Sequence, residues 1–587
     1  MTKRRNLAID AIKGLAIISV ALYHFGGGYL PFGYLGVDIF FVVGGYLLIR
    51  SLKHKIEQDS FNYFSFLVGK IVRLWPLVII ATSVAMMVGY FSMLPDDYEN
   101  LAESAVASSL FANNVLQCIT TKNYWNIVNL YKPLMHMWYI GVLMQAYVIL
   151  PLVYFAISKI NKKKCIAIAT IGLTTISLVM YLLPLCSPAW KFYFLPFRAF
   201  EITCGGLIVL WNPQFKGKKW VRWFSVLTLL LLLCSRQMVL SGSAMLIFTA
   251  VCTILFLWSS AEEDYSGAEA KMIVFGAEVG KRSYSFYICH QVIVAFLFYS
   301  VFSSQSIWAF LTFVMMTTVF SLLSFHFVEV PLGKAMETKR WKTIIVITTS
   351  VFAIGVCGIS FQIYRHAGVV RDVPELGIEL SNAHRNMHAE YCDRPYSWDQ
   401  DFSSNDKIRV LVIGNSYGRD WANILSEYDT NKMLEISYIY YTNENLISRK
   451  ERIEKAEIVF FATGPEIDKT VPQWLVDKVP HNKLWVISNK QYGTSNGIIY
   501  ARRNSESYYS QTVSVQQWLI DMNNEQRSIY GTHFIDMLEP VMKENNQVAV
   551  FTDQNMFISQ DCSHLTKAGA QYYARILDLE SIFIEKE

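Results

Sequence analysis

Residues Leu7–Phe25 read LAIDAIKGLAIISVALYHF. The run is close to the ~20 apolar residues that a bilayer crossing takes, yet it carries Asp10, Lys13 and His24. Residues 1–5 ahead of it are basic, but no small-residue cleavage site follows, so it reads as a retained span and not a signal peptide. Comparable runs fall at 34–49, 71–94, 135–157, 165–185, 193–211, 221–239, 242–258, 284–302, 307–328 and 341–363. About eleven spans result. Beyond Arg365 the long apolar runs stop and the chain reads as ordinary soluble protein. With 587 residues, 53% hydrophobic and 17% charged, it is too apolar for one soluble globule and too long for one domain. The net charge of +5 comes with no basic tract interleaved with aromatics, so no nucleic-acid partner is expected.

An odd number of spans sets the termini on opposite sides, and loop charge chooses between them. The basic segments 1–5, 53–70, 159–164, 216–222 and 334–342 fall on one alternating side, whereas 95–103 is acidic and falls on the other. The N-terminus is expected in the cytoplasm and the C-terminal domain outside, across a bacterial inner membrane. Segment 261–281, with Glu262, Glu263 and Asp264, reads as a cytoplasmic loop. Cys392 and Cys562 fall in the outer part, where an oxidising compartment permits a disulfide. One bridge, tethering the domain's entry segment, and two unpaired thiols both fit the sequence.

Ionisable groups inside spans are expensive and mark functional paths. Here they are Lys13, His24, Asp38, His136, Arg198, Glu201, His290, His326 and Glu329, with Arg73 a further candidate in the third span. Lys13 and His24 lie eleven residues apart on one helix, on nearly one face and across ~16 Å of depth. Taken singly, Lys13 and His326 read as snorkelling side chains.

In the soluble part, Ile408–Ile413 is a buried-strand run that ends in Gly414-Asn415-Ser416-Tyr417-Gly418. Ser416 therefore sits on a strand-to-helix turn, at the carboxyl edge where ligands of parallel sheets bind. Near the end, Asp561-Cys562-Ser563-His564-Leu565-Thr566 precedes a helix. Asp561 can orient His564 while His564 deprotonates Ser416. After strand 458–462 comes Thr463-Gly464-Pro465, so the backbone N–H groups of Ser416 and Gly464 are the expected oxyanion donors. His366, His384, His388, His481 and His533 show no partner pattern, and no Cys/His cluster has metal-ligand spacing.

Asp10-Ala11-Ile12-Lys13-Gly14 with His24, then Gly36-Val37-Asp38-Ile39-Phe40-Phe41, resembles the opening of the membrane acyltransferase-3 family. His136 and Trp138 with Gln145 and Tyr147, Arg198 with Glu201 and Gly205, Ser283-Tyr284-Ser285 with Tyr287 and His290, and Glu329 with Pro331 resemble its later motifs, in the family's order. The serine and Asp-x-x-His blocks resemble the SGNH hydrolases. The fold this implies is a polytopic α-helical membrane domain of about eleven helices followed by an extracytoplasmic α/β/α SGNH (flavodoxin-like) domain. Its expected divisions are a ten-helix membrane domain over 1–340, an eleventh helix at 341–363, a linker at 364–405 and the SGNH-like domain at 406–587. Four departures stand out. Lys13 replaces a usual arginine, Leu143 a glutamate, Gly44 a serine, and Asn415 the usual aspartate beside the nucleophile.

What the resemblance implies is acyl transfer from acyl-CoA, most commonly acetyl-CoA, as a donor substrate with no bound cofactor. His24 would be base or acyl carrier, Lys13 and Arg198 would hold CoA, and Tyr193 resembles a tyrosine proposed to receive the acyl group; an interfacial aromatic is its other reading. The acceptor would be a sugar hydroxyl of an extracytoplasmic glycan, lipopolysaccharide O-antigen or exported polysaccharide, with peptidoglycan as alternative. A membrane-anchored esterase and a glycan transporter with a binding-only outer domain are the competing readings.

Overall fold

The computed structural model describes residues 6–584 except 27–28, 121–128, 160–164, 185, 211–218, 236–240, 261–264, 303–305, 367, 369–371, 378–388, 405, 465–470 and 494. Several sequence expectations therefore lie outside the described residues: the basic segments 1–5, 160–164 and 216–218, the acidic 262–264, the span ends at 185, 211 and 239, and His384, His388 and Pro465. Two compact units divide the chain, one of residues 1–92 with 98–364 and one of 93–97 with 365–587.

Among its described residues the first unit is built of helices. Its helices are α1 (Leu7–Phe25), α2 (Gly36–Glu57), α3 (Tyr63–Ser92), α4 (Pro95–Ser109), α5 (Asn113–Thr120), α6 (Met137–Ser158), α7 (Cys165–Leu182) and α8 (Pro188–Tyr193). They continue with α9 (Leu195–Leu210), α10 (Lys219–Cys234), α11 (Gly242–Ser259), α12 (Gly267–Gly280), α13 (Ser283–Ser300), α14 (Ile307–Ser324), α15 (Val330–Ala335) and α16 (Lys339–Arg365), a π-helical turn at Phe325–Glu329 joining α14 to α15. Among the described residues eight helical stretches are long and apolar enough to cross a membrane, and Ile166–Leu182 and Ser283–Tyr299 are shorter apolar helices. The chain is a multi-pass membrane protein. Of the run expected at 221–239, the described part is helical as α10 through Cys234.

Segment 261–281 is expected as a loop, but its residues 267–280 are helical and form α12. Gly276 and Gly280 of this helix meet α1 backbone to backbone: a Cβ at Gly280 would lie 1.7 Å from the Asp10 carbonyl, and one at Gly14 would lie 2.2 Å from that of Gly276. The helix buries Glu269 without leaving its charge alone. Its carboxylate accepts from Arg222 Nε at 2.8 Å and Nη2 at 2.5 Å, and Lys219 Nζ lies 2.9 Å away. Pairing makes that burial tolerable.

Small residues also bring α2 against α9. A Cβ at Gly45 would sit 1.7 Å from the Ile202 carbonyl, and one at Gly205 would sit 2.1 Å from that of Val42. Interfaces of this kind let membrane helices approach by their backbones. The approach carries Asp38 of α2 to Arg198 of α9.

In the second unit a short α17 (Ala389–Asp393) leads to β1 (Ile408–Gly414), α18 (Ser416–Tyr428), β2 (Leu434–Tyr440), β3 (Ile458–Ala462), β4 (Leu484–Ile487), β5 (Thr512–Ser514), β6 (Phe534–Ile535), β7 (Met542–Lys543) and β8 (Gln547–Ala549). Strands β2-β1-β3-β4-β6 form a parallel sheet in that order, and β5-β8-β7 a small antiparallel one. Alternate residues of β1 enter opposite cores. Val410 and Val412 join Trp421, Phe460 and Tyr573, whereas Leu411 and Ile413 join Ile439, Val459 and Phe461. A strand buried on both faces reads as one unbroken apolar run. The order is doubly wound, with its switch point between β1 and β3, where a ligand crevice forms. Ser416 and Gly464 follow these two strands.

The α2–α9 contact makes a testable demand. Gly45→Val should destabilise the protein by about 1–3 kcal/mol or more, read as a lower unfolding temperature in detergent. Gly69→Ala, where a Cβ meets nothing within 4 Å, should leave it unchanged.

Candidate active sites

Ser416 opens α18 immediately after β1. A Cβ at Gly414 would lie 2.0 Å from the Ala462 carbonyl of β3, so only glycine lets the strands stay paired as the chain turns. Asn415 caps the helix, and its Oδ1 accepts from Tyr417 N at 3.0 Å and Gly464 N at 3.2 Å. The buried Tyr438 hydroxyl supports the same turn, 2.8 Å from the Gly414 carbonyl and 2.9 Å from that of Asn415.

His564 and Asp561 meet this serine from the far end of the unit. His564 Nδ1 lies 2.6 Å from Asp561 Oδ2, and Nε2 lies 2.7 Å from Ser416 Oγ. A carboxylate accepts, so Nδ1 carries the proton and Nε2 is left to accept from the serine hydroxyl. Asp561 Oδ1 also accepts from Ser563 N at 3.0 Å and His564 N at 2.7 Å. Burial pushes the Asp561 carboxyl up, but the His564 hydrogen bond and charge, with the two backbone donors, outweigh it and hold it at about 2. The arrangement is that of an activated nucleophile.

The oxyanion expectation needs correction. Gly464 N–H donates to Asn415 Oδ1, whereas Ser416 N–H, the other expected donor, lies in the first turn of α18, where backbone donors have no helical partner. The amide that replaces the usual aspartate thus ties the turn after β1 to the turn after β3. The disulfide expectation is also corrected. Cys392 and Cys562 are free thiols. Cys392 Sγ donates towards Gln560 Oε1 and the Leu565 carbonyl, both at 3.5 Å, while Cys562 Sγ, on a residue with φ of 72°, donates to Asn496 Oδ1 at 3.4 Å. The two sulfurs are turned to different partners. Burial raises both thiols, that of Cys392 to about 12.

Two residues that sequence reading missed join the nucleophile helix to the histidine loop. Asp420, one turn after Ser416, accepts from Leu565 N at 3.0 Å through Oδ2, and Lys490 Nζ lies 2.9 Å from the same oxygen. Asp420 and Lys490 are 1% and 3% exposed. Lys490 also stands 4.0 Å over the Tyr417 ring, and Tyr492 N donates to the Cys562 carbonyl at 2.8 Å. The only signal was a Ser and an Asp four apart, which is common on any helix.

Two cavities of the membrane unit are lined by the candidate residues. The larger of the two, about 460 Å³, is lined by His24, Tyr34, Asp38, Trp138, Arg198 and Tyr287 among others. The smaller, about 160 Å³, is lined by Lys13, Lys70, Arg73, Tyr139, Tyr147 and also Tyr287. Lys13 and Arg198 thus fall in different cavities and form no common anion site. Lys13, within 3.3 Å of Asp10, shares its cavity with two further cations. Arg198 is engaged by Asp38 at 2.5 Å and Glu201 at 3.1 Å, under the rings of Phe41 and Phe192. Two carboxylates already occupy its fork.

His24, His136 and His290 come together. His24 Nδ1 lies 2.8 Å from His290 Nε2, and the His136 and His290 ring centroids are 5.3 Å apart. Glu329 stands off from them. It accepts from Ser285 N at 2.9 Å and from the Ser285 hydroxyl, holding the first turn of α13. Tyr193 is fully buried against Trp138 and does not line the His24 cavity, which its neighbours Lys191 and Phe192 do. The reading of Tyr193 as an interfacial aromatic does not hold. Leu143 and Gly44 both line the smaller cavity, and a Cβ at Gly44 would lie 3.8 Å from Leu143 Cδ1.

Residues 6–326, more than half of the chain, match the acyltransferase-3 family, whose description is an acyltransferase domain. The chain belongs to that family. A Staphylococcus aureus (strain MRSA252) protein provisionally named an O-acetyltransferase is 26% identical over 363 residues, 57% of this chain and 58% of that one. The peptidoglycan O-acetyltransferase OatA of Listeria monocytogenes is 26% identical over 348 residues, 56% of each chain. The matched region thus spans little more than half the length of these curated relatives. The periplasmic domain of a lipopolysaccharide acetyltransferase of Salmonella ser. Paratyphi A is 14% identical, covering 33% of this chain and 96% of that one, with a TM-score of 0.27. A score that low carries no argument about fold.

Two outcomes follow from the serine site. Asp420→Ala leaves Lys490 buried without its carboxylate, a change that costs about 3–5 kcal/mol when one partner of a buried pair is removed; unfolding temperature and the rate of Ser416 labelling by a fluorophosphonate should both fall. Asp561 is held at about 2 from an ordinary 3.8. Its contribution to stability is therefore present above pH 3.8 and lost as pH falls through about 2. The stability difference between the native chain and Asp561→Asn should accordingly shrink over that acid window in a pH series of unfolding curves.

Proposed function

We propose that the chain is an O-acyltransferase, most simply an O-acetyltransferase, that works in two stages across a bacterial inner membrane. The bonded chain Ser416–His564–Asp561 carries the reading, because a membrane acyltransferase with a second, hydrolase-like nucleophile needs a reason for it. In the first stage acyl-CoA enters from the cytoplasm. Its phosphates meet Lys13, Lys70 and Arg73 of the smaller cavity, while the thioester reaches the His24 cavity. This assignment takes Arg198 out of the CoA site and leaves it, with Asp38 and Glu201, as a fixed wall of the acyl cavity.

In the second stage the acyl group is taken up by Ser416. The serine hydroxyl gives its proton to His564 Nε2 as Oγ bonds the acyl carbon, Ser416 N–H meets the oxygen that gains charge, and the bond from that carbon to its carrier group breaks as the carrier leaves with the proton from the imidazole. A sugar hydroxyl then attacks the ester. Its proton goes to His564, the acyl–oxygen bond to Ser416 breaks, and the serine recovers a proton from the imidazole. Asp561, ionised throughout, stabilises the imidazolium. In this reading the membrane part has eleven spans, the N-terminus lies in the cytoplasm and the C-terminal unit is an extracytoplasmic SGNH-type domain.

The acceptor is proposed as a lipopolysaccharide or exported polysaccharide, because the last block, Val550-Phe551-Thr552 through Leu565-Thr566-Lys567-Ala568-Gly569, resembles the subgroup that modifies such glycans. The Listeria relative's name favours peptidoglycan as the second choice. The test is the acetyl content of surface polysaccharide and of peptidoglycan in cells carrying the intact chain, Ser416→Ala or His24→Ala. Loss of acetyl from one polymer in both variants is the expected result and identifies the acceptor. Acetylation that is unchanged or raised by Ser416→Ala would replace this reading with the esterase or the transporter.

A further inference from the structure

We infer that His290 is a positioning residue that fixes the tautomer of His24 and so makes His24 Nε2, not Nδ1, its proton-accepting atom. The inference rests on His24 acting as a base in the first stage.

His290 Nδ1 lies 2.7 Å from the Tyr287 carbonyl and 3.2 Å from that of Phe286. Carbonyl oxygens only accept, so Nδ1 is the protonated nitrogen of His290. In the neutral ring Nε2 is then a bare acceptor. The atom facing it, 2.8 Å away, is His24 Nδ1, which must carry the shared hydrogen. His24 Nε2 is left with the lone pair, on a ring that lines the 460 Å³ cavity.

The opposite assignment places a lone pair of His290 against two carbonyl oxygens, or else charges a ring that is 0% exposed. The rings of His24 and His290 lie within 3° of parallel with centroids 5.1 Å apart, as one shared in-plane hydrogen bond requires. His136 does not compete for that hydrogen. Its Nε2 lies 3.2 Å from the Ile288 carbonyl and so donates there, while the Tyr287 hydroxyl donates to the His136 carbonyl at 2.6 Å. The protonation pattern of α1 is thus dictated by the backbone of α13, one helix away.

The test compares His290→Gln, His290→Phe and His290→Leu in vesicles carrying the full chain, by transfer of labelled acetyl from acetyl-CoA. Glutamine offers a carbonyl oxygen to His24 Nδ1–H; phenylalanine keeps a ring of similar shape and leucine an apolar volume, and neither accepts. Phenylalanine and leucine should each lower kcat by ~10²–10⁴, the contribution of a positioned acid or base, with KM for acetyl-CoA within twofold, while glutamine retains activity within about tenfold of the native chain. Equal losses in glutamine and phenylalanine at matched unfolding temperature would overturn the inference, as would an effect confined to KM. His24→Ala tells the two levels apart. If that variant stays active, the role given to His24 fails, whereas an inactive His24→Ala beside a fully active His290→Phe removes only the tautomer argument.

Discussion

A charge that leaves water must meet another charge or a fixed dipole, and in the membrane unit that requirement sets the arrangement of helices around the cavities. Arg198 sits at 2.5 Å from Asp38 and 3.1 Å from Glu201, all three nearly inaccessible. Their meeting depends on α2 and α9 touching through Gly45 and Gly205, since any side chain there would separate the backbones and strand the guanidinium. Glu269 poses the same problem on α12 and is answered by Arg222 and Lys219. The glycines and the ion pairs are therefore one device. Backbone proximity permits the pairing, and pairing permits the burial.

The serine site obeys a related constraint in a wetter setting. Ser416 and His564 come from opposite ends of the second unit, and two kinds of bond hold them in register. One is local, with Asp561 folding its own loop through Ser563 N and His564 N. The other is remote, with Asp420 receiving Leu565 N beneath the histidine. Lys490 and Arg419, at 2.9 and 3.3 Å, then balance the buried carboxylate.

Much of this was legible from the chain. Ile408–Gly414 reads as a strand because both its faces are buried, and its end is marked by the Gly-Asn-Ser turn. Asp561 and His564 were visible through their spacing. The missed features share a cause, since each depends on geometry that residue type does not encode. Gly464 N–H was assigned to an oxyanion, but an asparagine two strands' ends away accepts it. Lys13 was joined with Arg198 because both are cations on spans, whereas α3 supplies its actual companions, Lys70 and Arg73. The α12 segment looked like a loop because glycine and glutamate lower its hydropathy, and those residues are the ones that pack it. Cys392 and Cys562 stand near one loop, yet their sulfurs turn to different partners.

The smaller cavity changes how the family departures are counted. Gly44 and Leu143 face one another across its wall, with 3.8 Å between a would-be Cβ and Leu143 Cδ1. Two losses of polarity, a serine and a glutamate, are thus a single exchange of a wet wall for a dry one. A Cβ at Gly44 would meet Leu143 at ordinary contact distance, so the two positions are neighbours on one apolar stretch of the wall. What passes along that stretch meets methyl groups and bare backbone, a surface that suits an alkyl chain better than a phosphate.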